Sequence, residues 1–396
     1  MKRILFISKY LSTKTNGFES RLSVLIRLFK KNNYSVAAIT SSSSLKSIKS
    51  KKKYFKKKID DVEYFFIREE NSYSNYSFKR IISWIKFELN VFSFNYSNIK
   101  FKPEIIYISS LSLLTILNGI YLKKKFNSKL VFEMRDFWPY FLITTGKFSK
   151  FNPFILFLSF IEKYGIYSSD LIVSLIPNIK QYLKYRGFLN KKYFASTFPV
   201  NKNLFIENKK IKFEIDYSKF NICYAGNFGF DNYLDEFLSL IALSENSLFD
   251  FHFIGDGSQK KYLEKKYANV KNCKFHKHVE YKDLHTILIK MNCLVVSFGF
   301  NNKFPNFGYE LNKLNNYLMS QKPILIIGNK KNLRKERGSF VFVTKNSTKI
   351  FERKINFIRK NYKKFLKVGK LNKIKLLKRN NSDEIFKKTA HELNNL

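Results

Sequence analysis

The chain has 396 residues, 45% of them hydrophobic, so it can bury large cores, and its length predicts two domains. Lys and Arg number 73 against 30 Asp and Glu, and the formal net charge of +43 predicts attraction to polyanions, either nucleic acid or an anionic membrane. No run of 18 or more uncharged apolar residues is present, so no transmembrane helix is predicted. Three cysteines without CxxC spacing argue against a metal site and for a reduced, cytosolic compartment.

The high charge has two explanations. A chain rich in Lys, Asn, Ile, Phe and Tyr is expected from an AT-rich genome, which would make part of the charge purely compositional. The aromatic content of 17%, combined with so much lysine, instead suits a protein that touches a membrane interface.

The first half of the chain alternates strand and helix patterns. Strands are predicted at 4–8, 34–40, 105–109, 130–133 and 171–174, and helices at 19–31, 79–94, 111–124, 151–167 and 178–186. The cationic segment 46–58 is predicted to be an exposed excursion or lid. Alternation of this kind argues for βαβ units and a parallel sheet.

The second half repeats this alternation after a lapse in periodicity at 197–210, where we place the interdomain link. Strands are predicted at 220, 251 and 274, helices from 232 and 258, and further units at 284, 294, 311, 324 and 340, followed by a lysine-rich helical tail from 350. The predicted domains are 1–200 and 201–382. Residues 383–396 are predicted to form a helix that crosses back onto the first domain.

Two turns that contain glycine follow predicted strands of the second half. The first contains Gly226, Asn227, Phe228 and Gly229, and the second contains Gly255, Asp256 and Gly257. Such turns let backbone N–H groups approach an anionic ligand, and the following helix N-terminus adds positive potential. Asn227 and the N–H groups of Phe228 and Gly229 are therefore candidates for lining phosphates, with a plain tight turn as the alternative. Together with segment 308–326, they predict a nucleotide-diphosphate site.

The order and spacing of these segments resemble the retaining GT-B glycosyltransferases of the glycosyltransferase 4 family. The closest likeness is to the subgroup that builds bacterial O-antigen and capsular polysaccharides, including aminodeoxysugar transferases. The motifs are a Gly17 turn followed by Arg21, segment 133–139 (similar to Arg-Asp-Leu-Trp-Pro), the two glycine turns, and Asn312-Lys313-Leu314 leading to Lys322-Pro323. The resemblance covers nearly the whole chain. It implies an α/β GT-B fold, with two Rossmann-like domains whose parallel sheets face each other across a cleft.

The chain departs from the family pattern at several positions. Gly308 and Asn316 stand where many members carry two glutamates eight positions apart; the subgroup also relaxes the first to Gly, and Asn316 can still hydrogen-bond a ribose hydroxyl. The subgroup's Ser-Pro-Asn-Lys becomes residues 310–313, which keeps the lysine, and the paired glycines of the first loop are reduced to Gly17. These changes leave donor identity open and allow a catalytically silent relative as an alternative.

The resemblance implies a role for each candidate residue. Lys313 would neutralise the diphosphate leaving group, which gains negative charge in the transition state; the alternative is a solvated lysine. Donor and phosphate contacts would come from Gly17, the two glycine turns, and Glu310, Leu311, Asn312, Leu314 and Asn316. The first domain would bind the acceptor and the second the donor.

Arg135 and Asp136 follow a predicted buried strand and should emerge at its C-terminal end, facing the cleft. Arg135 would contact the acceptor's phosphate or the donor sugar, and Asp136 would orient an acceptor hydroxyl or hold Arg135. A structural ion pair is the alternative. The five histidines make no metal set, and exposed edge positions are predicted for His276 and His278. We therefore expect a metal-independent enzyme without a cofactor, the nucleotide-sugar being a substrate.

Two segments are candidates for membrane contact. The aromatic helix around 148–161, flanked by lysines, could insert aromatics at an interface, and the basic cluster 49–58 could bind anionic lipid. The contact residues would be Lys52, Lys53, Tyr54, Phe55, Phe154 and Phe157. A core helix and a loose loop are the alternative.

The combined expectation is a cytosolic glycosyltransferase, peripherally bound to the inner face of the plasma membrane. It would move a sugar from a nucleotide-sugar, most often UDP-linked in such enzymes, to a polyprenyl-diphosphate-linked saccharide in O-antigen (lipopolysaccharide) or capsule biosynthesis. No nucleic-acid partner is expected, since the basic residues are spread over the whole chain. The alternatives are a non-hydrolysing sugar-nucleotide 2-epimerase of the same architecture and a non-catalytic protein that binds polyanions or membranes.

Overall fold

The computed structural model describes residues 2–13, 19–45, 52–69, 78–110, 112–144, 148–202, 205–244, 246–300, 307–308, 310–328 and 338–396. The chain divides into two compact units. The N-terminal unit comprises Met1–Pro199 and Asn381–Leu396, and the C-terminal unit comprises Val200–Asn380. The sequence analysis placed these boundaries at 200/201 and 382/383.

The N-terminal unit is built on an eight-stranded sheet with helices between its strands. Its strands are β1 (Arg3–Ile7), β2 (Ser35–Ser41), β3 (Tyr54–Ile59), β4 (Val62–Ile67), β5 (Ile105–Ser110), β6 (Lys129–Met134), β7 (Leu171–Ser174) and β8 (Tyr193–Ala195). Its helices are α1 (Arg21–Lys31), α2 (Phe78–Phe92), α3 (Thr115–Phe126), α4 (Tyr140–Thr144), α5 (Pro153–Ser168) and α6 (Ile179–Arg186). The strand order is β3-β4-β2-β1-β5-β6-β7-β8, and every neighbouring pair is parallel except β3 with β4.

The C-terminal unit contains a six-stranded, fully parallel sheet. Its strands are β9 (Phe220–Ala225), β10 (Phe249–Ile254), β11 (Cys273–His276), β12 (Cys293–Gly299), β13 (Ile324–Gly328) and β14 (Phe340–Val343). Its helices are α7 (Leu234–Ala242), α8 (Lys260–Lys266), α9 (Tyr281–Leu288), α10 (Asn312–Met319), α11 (Thr348–Lys360) and α12 (Tyr362–Arg379). The order β11-β10-β9-β12-β13-β14 is that of a doubly wound sheet, whose strand order reverses between β9 and β12.

The last helix, α13 (Ser382–Asn394), packs on the N-terminal unit although it follows the C-terminal unit in sequence. The ring of Phe386 meets that of Phe29 on α1 edge-on, at 5.0 Å between centroids. The Lys2 ammonium donates a hydrogen bond to the Leu393 carbonyl in the last turn of the helix, at 2.7 Å. The chain therefore passes between the two units twice.

The predicted alternation of strands and helices is confirmed. The prediction that the cationic segment 46–58 is an exposed excursion or lid is wrong for its second half. Residues 54–59 form β3, which pairs antiparallel with β4, a strand that the sequence analysis did not predict. Asp60 and Asp61 both have positive φ (48° and 60°) and make the two-residue turn of this hairpin. The exposed lysines 56–58 belong to an edge strand, where lysine discourages pairing with other chains. Residues 46–51 lie outside the described residues.

The four inner strands of the C-terminal sheet, β9, β10, β12 and β13, are buried on both faces, which explains their largely apolar sequence. A buried histidine interrupts this pattern. His252 on β10 is fully buried; its Nδ1 lies 3.0 Å from Nε2 of His276 and its Nε2 lies 2.8 Å from Oδ1 of Asn221. His278 is exposed as predicted, whereas His276 is half-buried because its ring stacks on His252.

This histidine should make stability depend on pH. Burial, reinforced by His276 and Lys274, lowers the pKa of His252 to about 4. In the unfolded chain the histidine pKa is about 6.5, so between pH 6.5 and pH 4 the unfolded state binds more protons than the folded state. The contribution of neutral His252 to the free energy of unfolding is therefore complete above pH 6.5 and is lost as pH falls toward 4. Between pH 7 and pH 5 the loss should be about 2 kcal/mol. Urea unfolding of wild type and His252→Gln at both pH values measures it, and an unchanged pH dependence in the variant would contradict the assignment.

Candidate functional site

Two glycine turns lie side by side at the carboxyl edge of the C-terminal sheet, where β9 and β10 end. Gly226 donates its N–H to the Ile254 carbonyl at 3.0 Å, and Phe228 donates to the Asp256 carbonyl at 2.8 Å. The Phe228 carbonyl in turn accepts from the N–H of Gln259 at 2.9 Å. These bonds hold the turn after β9 against the turn after β10, beside the point where the strand order reverses. Ligands of doubly wound sheets bind at this point.

Glycine is required in the second turn by geometry. Gly255 has φ +139°, and a Cβ atom there would lie 1.9 Å from the Gly226 carbonyl oxygen. We expect Gly255→Ala to lower the free energy of unfolding by at least about 3 kcal/mol, since it combines backbone strain with a clash against backbone. Gly187→Ala is the matched control, because Gly187 also has positive φ (+92°) but nothing lies within 4 Å of its Cβ position, and about 1 kcal/mol is expected. Equal losses in urea unfolding would contradict the packing of the two turns.

Lys313 lies beside this pair of turns. It stands in the first turn of α10, and its ammonium donates to Oδ1 of Asn232 at 2.6 Å and to the Tyr224 hydroxyl at 3.3 Å. The same ammonium lies 4.8 Å above the centre of the Tyr224 ring, and 3.4 Å from the Cβ position of Gly226. Two residues far away in sequence thus hold the lysine against the turn that follows β9.

The environment of Lys313 favours the binding of an anion. Burial lowers the pKa of Lys313 to about 8, although the nearby carboxylate of Asp231 opposes the shift. Burial disfavours the charged form of the lysine, and a nearby negative charge favours it, so an anionic ligand beside the ammonium would stabilise that charged form. The N-terminus of α10 supplies additional positive potential from the helix dipole. The site can therefore receive phosphate oxygens and stabilise negative charge that develops on them.

Within the two glycine turns, some of the predicted site residues are exposed and others are buried. Asn227 and Asp256 are exposed, whereas Phe228 is fully buried. The prediction that the Phe228 N–H lines phosphates is corrected, because that N–H is already bonded to the Asp256 carbonyl. The carboxylate of Asp256 accepts from the N–H of Gly257 at 2.7 Å, so it is turned into its own loop.

The predicted site residues in and just before α10 also differ in burial. Glu310, Leu311 and Asn312 are half-buried, and the Leu314 side chain packs in the core of the C-terminal unit, so the ligand contact of Leu314 stays a prediction. Asn316 is buried and its Oδ1 accepts from the Tyr281 hydroxyl at 2.9 Å. Gly17 lies outside the described residues.

Sequence reasoning missed the tyrosines that build this site. Tyr317 follows Lys313 by four residues, on the same face of α10, and its hydroxyl both donates to the Ala225 carbonyl (3.0 Å) and accepts from the Ala225 N–H (2.8 Å). This closes the end of β9 immediately before Gly226. The four-residue spacing was visible in the sequence, but Tyr224 and Asn232 could not be linked to Lys313 without the fold.

In the N-terminal unit, Arg135 and Asp136 follow β6 as predicted, Arg135 half-buried and Asp136 exposed. A buried ion pair at this strand end joins two other residues. The guanidinium of buried Arg21 on α1 contacts the buried carboxylate of Glu133, and also donates to Oγ of Ser196 at 2.8 Å. The Tyr107 hydroxyl donates to the same carboxylate at 2.6 Å. Burial raises the pKa of Glu133, but the Arg21 charge and the hydrogen bonds from Tyr107 and Ser109 together outweigh burial and hold that pKa below its ordinary value.

The two predicted membrane segments differ in exposure. Lys52 and Lys53 are exposed, but Tyr54 packs against Phe94 (4.8 Å between centroids) and Phe55 stacks on Phe66 (5.4 Å). The two aromatics of β3 are half-buried and also pack within the N-terminal unit, and their contact with a membrane stays a prediction. The lysines and rings of this segment line an open cavity of about 480 Å³.

Helix α5 carries a broad exposed apolar face. Phe154 is 38% exposed and Phe157 is 54% exposed, and the same face includes Leu156, Phe160, Tyr164 and Tyr167. The opposite side, with Ile155, Leu158 and Ile161, is buried. In the part of the chain that the structure describes, no helix is both long and apolar enough to cross a bilayer. Among the same residues, no three His, Cys, Asp or Glu side chains are grouped so that they could hold a metal ion.

Solved structures share this architecture over the full chain. Sucrose-phosphate synthase from Thermosynechococcus elongatus gives a TM-score of 0.75 at 12% identity, with 100% of this chain and 99% of that chain covered. Anabaena HepE in complex with UDP and glucose gives 0.68 at 10% identity, with 100% of both chains covered. The lipopolysaccharide outer core galactosyltransferase WaaB gives 0.58 at 13% identity, covering 98% of this chain and 97% of that one.

No protein-family model matches the sequence, and the search of curated proteins gives no match either. The likeness is therefore one of fold. The predicted fold class is confirmed: the chain has the mixed α/β GT-B architecture, with two sheets of mainly parallel strands.

Proposed function

We propose that the chain is a retaining glycosyltransferase that moves a sugar from a UDP-linked donor to a polyprenyl-diphosphate-linked saccharide. The observation that carries the proposal is the Lys313 ammonium, held beside the Gly226 turn at the strand-order reversal of the C-terminal sheet. Structures of HepE with UDP and with UDP-glucose support a nucleotide-sugar donor. The resemblance to the glycosyltransferase 4 family, and a role in O-antigen or capsule synthesis, belong to this proposal.

In the proposed reaction the bond between the sugar's anomeric carbon and the β-phosphate oxygen breaks, and UDP leaves with an additional negative charge. Lys313 and the backbone N–H groups at the start of α10 stabilise that charge. The acceptor hydroxyl oxygen bonds to the anomeric carbon on the face that UDP leaves, and its proton passes to a β-phosphate oxygen. No protein nucleophile is required. Charge neutralisation is assigned to Lys313 rather than to a metal, so a dependence on Mg²⁺ would count against this part.

On the acceptor side, Arg135 and Asp136 are proposed to act at the end of β6. The half-buried Arg135 would bind phosphate oxygens of the acceptor, and the exposed Asp136 would hydrogen-bond the attacking hydroxyl. The buried Arg21–Glu133 pair beneath them would position the strand end without touching substrate.

The first test is thermal stabilisation of the purified protein by UDP, GDP, ADP, CMP and dTDP, with and without Mg²⁺. Ligands that bind the folded state raise Tm by mass action. A selective, Mg²⁺-independent rise with UDP, absent in Lys313→Ala, is the expected result. No rise with any nucleotide, beside strong binding to anionic vesicles or nucleic acid, would replace the proposal with a silent or polyanion-binding protein.

A lipid-linked acceptor requires the protein to reach a membrane, and the exposed face of α5 is proposed to do so together with Lys52 and Lys53. Phe157→Ser with Phe160→Ser should weaken binding to phosphatidylglycerol-containing vesicles at least about tenfold, since each ring buried in lipid contributes about 1.5–3 kcal/mol. Co-sedimentation measures this. Phe230→Ser is the matched control, because Phe230 is equally exposed (55%) but lies on the C-terminal unit. Equal binding by all three proteins would contradict the assignment.

A further inference from the structure

The chain contains only two tryptophans, and they meet each other. Trp84 on α2 and Trp138 after β6 pack edge to face, with ring centroids 5.9 Å apart and planes at 83°. The indole Nε1 of Trp84 donates to the hydroxyl of Tyr10, which follows β1, at 2.6 Å. All three rings are half-buried, unlike Tyr107 and Phe6 in the core beneath, which are fully buried. Three segments distant in sequence thus bring partly exposed aromatic rings together.

The cluster has a rigid support. Lys9, the residue before Tyr10, is buried and forms an ion pair with buried Glu69. Its ammonium also donates to the carbonyl (3.0 Å) and the hydroxyl (2.8 Å) of Ser83, the residue before Trp84. The buried network therefore ties the backbone under Tyr10 directly to the backbone under Trp84. Support of this kind fixes ring positions in advance of binding.

The cluster also lies where a ligand is expected. Tyr10 and Trp138 follow β1 and β6 at the carboxyl edge of the N-terminal sheet, whose strand order reverses between β1 and β5. Arg135 and Asp136 lie three and two positions before Trp138, and the Trp138 N–H donates to the Asp136 carbonyl at 3.1 Å. The C–H groups on one side of a pyranose form an apolar surface that packs on an aromatic face, while charged side chains bind its hydroxyls. Partly exposed rings with an arginine and a carboxylate beside them match that chemistry.

We propose that Tyr10, Trp84 and Trp138 form a saccharide-binding subsite of the N-terminal unit, which takes a pyranose ring of the acceptor by stacking. The assignment to the acceptor rests on the proposed transferase function. Saccharide binding itself does not, because it needs neither the donor nor Lys313.

Tryptophan fluorescence tests the subsite directly, since residues 200–380 contain no tryptophan and all indole emission comes from this cluster. The probes are lactose, N,N′-diacetylchitobiose and maltotriose, titrated at millimolar concentrations into the full chain. A saturable change in emission with at least one probe is expected in wild type and in Trp84→Phe, which retains Trp138. Trp138→Leu should weaken that binding at least tenfold, read from Trp84, whereas Tyr193→Leu, a partly exposed ring on β8, should leave it unchanged.

The UDP-induced rise in Tm is measured on every variant. An unchanged rise in Trp138→Leu shows that the fold and donor site are intact and assigns the loss to the subsite. No emission change with any probe, or equal affinity in wild type and Trp138→Leu, overturns the subsite while the UDP result stands. Saccharide binding without any UDP response would keep the subsite and remove the transferase proposal.

Discussion

Lys313→Ala is expected to lower kcat by about 10²–10³-fold, because it removes the cation that the proposed reaction uses to stabilise charge on the departing diphosphate. The side chain lies between Asn232, Tyr224 and the Gly226 turn, so its loss leaves a polar gap at the phosphate position. The rate at which the purified protein consumes UDP-sugar, with lipid-linked saccharide extracted from membrane vesicles as the acceptor, measures the change in kcat. Lys322→Ala is the matched control, since Lys322 is also half-buried in the same unit but its ammonium donates to the Tyr362 hydroxyl at 3.4 Å, and near-wild-type turnover is expected.

The same lysine should give donor binding a pH dependence. Since the pKa of Lys313 is lowered to about 8, Lys313 is neutral in half of the ligand-free protein molecules at that pH. UDP affinity should therefore fall as pH rises above 8 in wild type. In Lys313→Arg, whose guanidinium keeps its charge, the affinity should stay level over that range. Calorimetric titration between pH 7 and pH 9.5 separates the two, and parallel profiles would show that Lys313 does not carry the charge that UDP meets.

The second large effect is on stability. Glu133→Gln should lower the free energy of unfolding by about 3–5 kcal/mol, because it leaves the Arg21 charge buried without its carboxylate. The exposed Arg3–Glu104 pair in the same unit is the matched control: its side chains are 43% and 45% exposed, and Glu104→Gln should cost no more than about 1 kcal/mol.

Urea unfolding followed by circular dichroism measures both variants. If Glu133→Gln and Glu104→Gln lowered the free energy of unfolding by similar amounts, the buried Arg21–Glu133 pair would not be a main support of the strand end at Arg135. Pairing Arg21→Met with Glu133→Leu should restore much of the loss, since removing both charges removes the unpaired one as well.

Much of the fold could be read from the sequence because its signals are local. The apolar runs of β9 and β10 each end in a glycine turn, and α5 shows as a helix at 151–167 against the observed 153–168. The β3–β4 hairpin was missed because three successive lysines hide its alternation and two aspartates form its turn. A lysine run read by charge alone suggests a loop, whereas an edge strand has the same composition.

The candidate site could be predicted only in part, for a related reason. Lys313 and the glycine turns stand out within short windows. Asn232 and Tyr224 precede Lys313 by 81 and 89 positions, and Arg21 and Glu133 are 112 apart, so only the fold brings them together. The two tryptophans, 54 positions apart, were separate features in the sequence and one cluster in the structure.

Helix α13 has a consequence for how the protein is made. Its partners Phe29 and Lys2 are translated before Val200–Asn380, whereas the helix is translated only after that segment. At about 5–20 residues per second this delay is roughly 10–40 s, during which the surface around Phe29 lacks its cover. The C-terminal unit, being continuous in sequence, can close its own core first. During synthesis the C-terminal unit can therefore be complete before the N-terminal unit, although it is encoded later.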